Sequence, residues 1–358
     1  MESSNEVNVV IVGAGVVGLA VAERLSKKYE VLVLEKEKSF GQHTSSRNSE
    51  VVHSGIYYPK DSLKSKLCSS GNEQLYKFCL KHNVPHKMCG KLIVSHSKED
   101  SEKLHKLYDN GLLNDVPLIW IDKSELTEME PSLKECHSAI FSPTTGIIDS
   151  HALMKKLEYL ALQSGAMIAY GNAVITISVI TDGFSVEVER GFKVTTDILI
   201  NCAGLWSDKV SKMVSANDYE IKYCKGEYFK TNSIKNMNHL VYTIPQEHSL
   251  GIHTRMNLSG EISFGPNAYF VNEIEYSVRE ENKIDFLKEM SRLLNKEFTE
   301  IDLSPDYAGI RPKINNKTDF IIEKDKTHPN VINLIGIESP GLTCCLSIAE
   351  YVEDLLSG

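Results

Sequence analysis

Apolar positions along the chain follow two rhythms. Residues 7–12, Val-Asn-Val-Val-Ile-Val, form a nearly continuous β-branched run, the pattern of a parallel strand covered on both faces. The run stops at Gly13-Ala14-Gly15-Val16-Val17-Gly18. Leu19, Ala22 and Leu25 then recur at helical spacing, and a second apolar run at 31–34 closes on Glu35. The predicted order is strand, glycine turn, helix, strand, acid. Residues 7–22 fall short of the roughly 20 that a membrane-spanning helix takes, and three glycines interrupt them.

Further along, residues 62–83 present Leu63, Leu67, Leu75, Phe78 and Cys79 on one helical face, and 91–96 read as a strand. A helix over 150–163 follows, then strands near Met167, at 174–179 and at 185–188, and a buried run at 197–204 that ends in small residues. Residues 330–336 repeat the theme of an apolar strand closing on glycine, before Ile-Glu-Ser-Pro-Gly341 and a helix over 342–356. Between these, residues 264–276 and the stretches around Val241 and Ile252 alternate, which predicts an antiparallel sheet in a second layer. Two interleaved domains are expected, with no internal repeat and no low-complexity linker.

The glycine turn carries specific mechanics. Gly13 makes the tight turn, Gly15 lets the backbone approach a pyrophosphate, and Gly18 lets the helix pack closely on the sheet. The helix N-terminus stabilises phosphate, and Glu35 can accept hydrogen bonds from ribose hydroxyls while disfavouring a 2′-phosphate. This fingerprint alone does not separate FAD from NAD. Residues 41–50, Gly-Gln-His-Thr-Ser-Ser-Arg-Asn-Ser-Glu, are dense in hydroxyls and amides and read either as a cofactor-binding loop or as a solvated one. Three strands end in glycine-bearing turns, at 13, at 204 and at 336–341, and ligands of parallel sheets sit beyond such ends. Convergence of all three on one long cofactor, with a helix N-terminus after Gly341 aimed at a flavin's pyrimidine end, suits FAD better than NAD.

Length and composition then narrow the class. The chain has 358 residues, enough for about two domains, and its 42% hydrophobic and 24% charged content is that of a folded globular protein. A net charge of −9 offers no broad basic footprint for nucleic acid or anionic lipid, although an anionic substrate needs only one or two local cations. Eight scattered cysteines show no metal-ligand spacing, so neither a zinc site nor a disulfide framework is expected. The acidic opening, Met-Glu-Ser-Ser-Asn-Glu, lacks the charge pattern of a targeting signal and makes the cytoplasm the default compartment.

Asn48-Ser-Glu50-Val-Val-His53-Ser-Gly-Ile-Tyr-Tyr, Asn201-Cys-Ala-Gly204-Leu-Trp-Ser, Gly-Ile-Arg311-Pro and Ser-Pro-Gly341-Leu-Thr, together with the glycine fingerprint, resemble the D-amino-acid-oxidase-like superfamily of FAD oxidoreductases. The resemblance runs from Val7 to about Leu355 and is strongest to its L-2-hydroxyglutarate dehydrogenase branch. It implies an α/β fold, a Rossmann-type FAD-binding domain interleaved with a substrate domain on a mixed, largely antiparallel sheet. The implied cofactor segments are 1–88, 149–218 and 307–358, and the substrate segments 89–148 and 219–306. It further implies that FAD is held by Gly13, Gly15, Val16, Val17 and Gly18, by Glu35 and Lys36, by Ser45, Ser46 and Asn48, and by the backbone of Val174. Ala203, Gly204, Gly341, Leu342 and Thr343 complete the implied cradle. The chain departs from the family pattern at Glu50, where glycine is common, and at Cys344-Cys345, commonly a serine pair. Glu50 is expected to alter the charge near the substrate.

Oxidation of a 2-hydroxy acid requires a base for the hydroxyl proton and a clamp for the carboxylate. His53 is the first candidate base, His253 the second, and Arg311 can grip a carboxylate with a two-pronged guanidinium. Tyr57 and Tyr58 are candidate pocket residues and Lys225 a candidate extra cation. The expected reaction is FAD-dependent oxidation of a small anionic substrate, foremost L-2-hydroxyglutarate to 2-oxoglutarate, with oxygen, a quinone or a carrier flavoprotein as electron acceptor. The alternatives are an amine or amino-acid oxidase, a glycerol-3-phosphate dehydrogenase, and a noncatalytic flavoprotein scaffold.

Overall fold

The computed structural model describes residues 6–235, 237–245 and 251–358; the opening pentapeptide, on which the targeting expectation leans, lies outside them. The β-branched runs assemble as parallel strands. Met167–Tyr170, Val31–Glu35, Glu6–Val12, Lys193–Asn201 and Val331–Ile335 lie side by side in that order. An antiparallel pair, Val174–Ile180 and Gly183–Val188, and the edge strand Ile321–Lys324 complete an eight-stranded sheet. Lys193–Asn201 divides one of its edges, pairing antiparallel with Gly183–Val188 near its start and parallel with Val331–Ile335 near its end.

Helices Val16–Leu25, Leu63–His82, Ser150–Gln163 and Gly341–Ser357 cover one face of this sheet and share a core with Val9, Ile11, Val31 and Val33. Their apolar stripes supply most of that core, as amphipathic helices on a buried parallel sheet must. Gly13 has φ of +105° and turns the chain with no room for a side chain, because a Cβ there would stand 2.6 Å from the Cys202 carbonyl oxygen. A Cβ on Gly18 would stand 2.0 Å from the Gly13 carbonyl oxygen, so the helix docks on its own turn only with glycine there.

The second part is built on two smaller sheets. Ile221–Thr231 is paired antiparallel with Ser304–Ile314 on one side and with Ile262–Gly265 and Tyr269–Val271 on the other; His253–Met256 forms the edge. The segment 264–276, expected as one alternating stretch, is thus divided at Pro266, which has no N–H to donate to a ladder. The strand at Val241 corrects the sequence reading in a second way. Leu240–Thr243 does not join the sheet of Ile252 and Phe264 but pairs parallel with Lys91–Ser95, in a four-stranded sheet with Ser138–Ser142 and Ile119–Ile121. The two sheets meet at Thr254, whose hydroxyl accepts from the Val241 N–H (2.7 Å) and donates to the Val241 carbonyl (3.2 Å). A side chain there does the work of a ladder bond, which no alternation pattern encodes.

We assign the cofactor and substrate parts by these sheets. Ser304–Ile314 pairs with Ile221–Thr231 from Ser304 to Ile314, and we propose on that ground that the substrate part runs past 307 to just beyond Ile314. Among the described residues no helix is long and apolar enough to cross a membrane. Replacing Gly18 with Ala is expected to cost about 1 to 3 kcal/mol by overpacking, seen as a lower urea midpoint; a midpoint equal to wild type would show that the helix is free to shift.

Candidate active site

A cavity of about 430 Å³ runs along the carboxyl ends of the parallel strands, from Glu35 and Val174 at one end to His53, Tyr242 and Arg311 at the other. Its volume lies in the range of small-molecule sites. At the first end, strand Val31–Glu35 delivers a buried carboxylate to the glycine turn: Glu35 Oε2 accepts from the Ala14 N–H (2.7 Å) and Oε1 from the Glu37 N–H (2.8 Å). The second lone pair of each oxygen remains for a ribose hydroxyl. Val174 reaches this end because the Asn172 N–H bonds the Glu35 carbonyl at 2.8 Å, folding the loop after Met167–Tyr170 beside the acid. Lys36 also lines the cavity, with its ammonium 3.6 Å from the centre of the Trp206 ring.

The helix Val16–Leu25 opens toward the cavity with Gly15, Val16, Val17 and Gly18 along its wall. First-turn amides have no intrahelical acceptors, so this end attracts anions. One such amide, Val16 N–H, bonds Ser45 Oγ at 3.0 Å. Asn48 knots the same loop: its Nδ2 donates to the carbonyls of Thr44 (3.1 Å) and Ser45 (2.8 Å), and its Oδ1 accepts from the Glu50 N–H (2.8 Å). Ser45 and Asn48 line the cavity, whereas Ser46 is exposed and does not. Thr44–Ser46 is a single 3-10 turn, in which successive side chains point about 120° apart, so adjacent serines cannot share a target.

Ala203 and Gly204 form the middle of the wall, and nothing lies within 4 Å of where a Cβ on Gly204 would stand. Gly341 and Leu342, at the start of Gly341–Ser357, close the wall near His53. Thr343 does not line the cavity. It is buried one residue deeper, where its hydroxyl accepts from the His53 N–H (2.9 Å) and donates to the Val51 carbonyl (3.4 Å). It holds the His53 backbone in place. The open flank at Gly204, the carboxylate at Glu35 and the first turn of the helix between them fit a dinucleotide, which these residues would hold along the strand ends.

His53, His253 and Arg311 come from three distant segments and converge on the inner end. His53 stands with Nε2 3.2 Å from Ser339 Oγ, and its carbonyl accepts from Asn72 Nδ2 at 2.9 Å. Burial, with smaller contributions from Lys91 and His253, pushes its imidazole down to about 3. His253 is stacked on Tyr242, ring centres 3.7 Å apart, and its Nδ1 lies 2.7 Å from the Gly251 carbonyl. That contact makes Nδ1 the donor and leaves Nε2 as acceptor. Burial pushes this imidazole down to about 3 as well, against the Gly251 contact and with help from Lys91 and Arg311. Both rings are therefore neutral near pH 7. The Arg311 guanidinium lines the cavity and makes no hydrogen bond or ion pair within 4 Å among the described residues, though it acts electrostatically on His253 and Glu338.

Other expectations change. Lys225 adds no charge to the cavity: it is fully buried, bonded to Glu275 and 3.8 Å from Glu227. Tyr57 and Tyr58 lie outside the cavity wall, Tyr57 packed with Ile93 and Tyr242. Glu50 does line the cavity, with φ of 56°, but its carboxylate is taken by Arg255 (2.7 Å) and by the Ser150 amide and hydroxyl (3.1 and 2.9 Å). Sequence reasoning missed Trp206, Tyr228 and Tyr242 as wall residues and Arg255 as the partner of Glu50. Trp206 stood inside a quoted motif, but the others sit on strands whose inward face depends on long-range pairing.

Three comparisons bear on this geometry. The model of the family described as FAD dependent oxidoreductase matches residues 8–355. The chain is 37% identical to the mitochondrial L-2-hydroxyglutarate dehydrogenase of Arabidopsis thaliana, over 98% of this chain and 83% of that one. It is 31% identical to a glycerol 3-phosphate dehydrogenase of Caloramator mitchellensis, over 98% of this chain and 73% of the relative. Among solved structures, the dithionite-reduced L-alpha-glycerophosphate oxidase of Mycoplasma pneumoniae with FAD bound superposes with a TM-score of 0.91. It is 26% identical, over 99% of this chain and 95% of that one. Replacing Glu35 with Ala leaves two backbone amides without their acceptor. The variant is expected to hold flavin about 10- to 100-fold more weakly, measured as FAD released on dilution; unchanged retention would remove Glu35 from the site.

Proposed function

Because the chain belongs to the family of FAD-dependent oxidoreductases, we propose that it oxidises L-2-hydroxyglutarate to 2-oxoglutarate, with His53 as base and Arg311 as carboxylate clamp. The observation that carries this reading is one cavity holding an unpaired guanidinium beside two neutral imidazoles. A neutral ring can accept a proton, and an unpaired guanidinium can take a carboxylate without first breaking an ion pair. The 37% identity to the Arabidopsis enzyme supports the same substrate.

Bound FAD supplies the two-electron acceptor for the carbinol carbon. In this reading Arg311 grips the substrate's C1 carboxylate with its two parallel N–H groups, which fixes the orientation of the adjacent carbinol. His53 Nε2 takes the hydroxyl proton, with Ser339 Oγ beside it as a second hydrogen-bonding group. Thr343 and Asn72 hold the His53 backbone so that its ring keeps one orientation. His253, with Nδ1 committed to Gly251, offers Nε2 as an acceptor for the same hydroxyl and is the alternative base. The residues that hold the cofactor are those of the glycine turn, Glu35, Ser45, Asn48, Gly204 and Gly341. The electron acceptor in this proposal is oxygen, a quinone or a carrier flavoprotein. Cytoplasmic residence is tested by cell fractionation, since the Arabidopsis relative is mitochondrial.

Glycerol 3-phosphate is the second reading, favoured by the Caloramator and Mycoplasma relatives, and a phosphate also suits Arg311. Anaerobic addition of L-2-hydroxyglutarate, its D-enantiomer and glycerol 3-phosphate to the flavin-loaded protein separates the two. Bleaching near ~450 nm by the L-hydroxy acid alone is expected; bleaching by glycerol 3-phosphate alone would replace the substrate. The depressed imidazoles set a pH signature, because kcat/KM reports the free enzyme. It is expected to stay level from about pH 7 down to about pH 5, below the ordinary imidazole value of about 6.5. An acid limb near that value would mean that the base is a histidine in ordinary solvent.

A further inference from the structure

The two imidazoles at the inner end of the cavity differ in how far the protein fixes them. A carbonyl oxygen only accepts, so the 2.7 Å contact with Gly251 places the His253 hydrogen on Nδ1. Nε2 is then a lone pair with no partner among the described residues, on a ring that lines the cavity. Unlike His53 Nδ1, which is buried without a partner, it is not closed off from the cavity space. His53 has the Ser339 hydroxyl at Nε2, a group that donates or accepts, and nothing at Nδ1. No protein group therefore dictates the His53 tautomer, whereas that of His253 is set.

What sets it is a joint between two sheets. The His253 ring lies on that of Tyr242, with centres 3.7 Å apart and planes inclined by 21°. Tyr242 belongs to Leu240–Thr243, paired with Lys91–Ser95, and His253 to His253–Met256, paired with Ile262–Gly265. Where these strands meet, the Thr254 hydroxyl stands in for a strand partner of Val241, accepting from its N–H and donating to its carbonyl. Val241 and Thr254 directly adjoin Tyr242 and His253, so this joint fixes the spacing at which the rings stack. Rotating the imidazole out of its plane drives it into the Tyr242 ring. A half-turn within the plane exchanges Nδ1 for a carbon and forfeits the Gly251 bond. The phenol oxygen of Tyr242 has no hydrogen-bonding partner, so what the position uses is the aromatic face.

We propose that Tyr242 and Thr254 are positioning residues for His253: together they hold its imidazole in one plane and one tautomer, so that Nε2 meets the substrate hydroxyl as an acceptor. The inference rests on the reading of this cavity as the site of a 2-hydroxy acid, and it names the residues that align one of the two imidazoles there. Both act through His253 and not on the reacting atoms. Alignment matters because a proton passes only to a lone pair within hydrogen-bonding reach of the hydroxyl. In the other tautomer Nε2 carries a hydrogen and donates to the hydroxyl oxygen, which is the wrong polarity for taking its proton. In the same reading Arg311 holds the substrate carboxylate, so loss of alignment falls on kcat and leaves KM largely alone.

The test pairs steady-state kinetics with nitrogen NMR of the flavin-loaded protein carrying isotopically labelled histidine, the His253 signals being assigned by their loss in His253→Gln. Wild type is expected to show a single His253 tautomer with its hydrogen on Nδ1. Tyr242→Leu and Thr254→Val are each expected to populate both tautomers and to lower kcat on L-2-hydroxyglutarate about 10- to 100-fold, with KM within about threefold. Tyr242→Phe keeps the ring and Thr254→Ser keeps the hydroxyl, so each is expected to restore the single tautomer and most of the lost kcat. If Tyr242→Leu does not fold, Thr254→Val carries the test, since it removes one hydroxyl at nearly constant volume. A wild-type hydrogen on Nε2 overturns the proposal without any variant. So does a tautomer that neither Tyr242→Leu nor Thr254→Val moves, or a loss that falls on KM with kcat unchanged. If both substitutions mix the tautomers but L-2-hydroxyglutarate leaves wild-type flavin oxidised, the positioning of the ring stands and the substrate reading falls. If wild type oxidises L-2-hydroxyglutarate and variants with mixed tautomers keep its kcat, the substrate reading stands and the positioning role falls.

Discussion

The loop Thr44–Glu50 is bonded on both of its sides, and the cavity exists because of that. On one side Ser45 Oγ takes the first amide of the helix Val16–Leu25. On the other, Thr44 Oγ1 donates to the Ile310 carbonyl (2.9 Å), Tyr307 Oη donates to the Asn48 carbonyl (2.6 Å), and Ser49 and Tyr228 share a hydroxyl contact of 2.8 Å. Gly309 lets the antiparallel sheet close on the loop, because a Cβ there would stand 2.0 Å from the Arg47 carbonyl oxygen. Glu50 finishes the joint by binding Arg255 of one part and the Ser150 helix start of the other. Its backbone pays for the position with a left-handed φ that non-glycine residues seldom adopt. A parallel sheet and an antiparallel sheet have no intrinsic reason to meet at one angle; this loop supplies one.

The charges around the cavity are sorted by whether they already have partners. Glu50 with Arg255, Lys225 with Glu227 and Glu275, and Glu338 with Lys64 and Lys313 are each satisfied inside the protein. Arg311 stands outside this pairing and faces the cavity, and the two imidazoles beside it are kept neutral by burial and nearby cations. In the proposed reaction, anion binding and proton acceptance fall on separate residues, so the cation that would draw the substrate in would not compete for its hydroxyl proton.

Much of the cofactor half was legible in the sequence because its signals are local. A β-branched run, a glycine turn, an amphipathic helix and an acid at the next strand end occupy consecutive residues, and each acts through backbone geometry that neighbours dictate. The strand ends at Gly204 and Gly336 could be read the same way. Placement relative to the cavity was not legible residue by residue: Ser46 follows Ser45 in sequence but a 3-10 turn faces it outward, and Thr343 follows Leu342 but lies beneath the wall.

The tertiary structure alone decided which polar residues share a partner. Lys225, Arg255 and Arg311 look alike in sequence, yet the first two are neutralised and the third is open, because strand register sets what stands opposite each of them. Lys91 lies in a plain apolar strand and meets Tyr57 and Tyr242 only when Lys91–Ser95 pairs with Leu240–Thr243 and the residues after His53 fold beneath it. Local periodicity specifies which face of a strand is buried. It carries no information about which distant segment covers that face, and the pairing, burial and protonation of the site all depend on that.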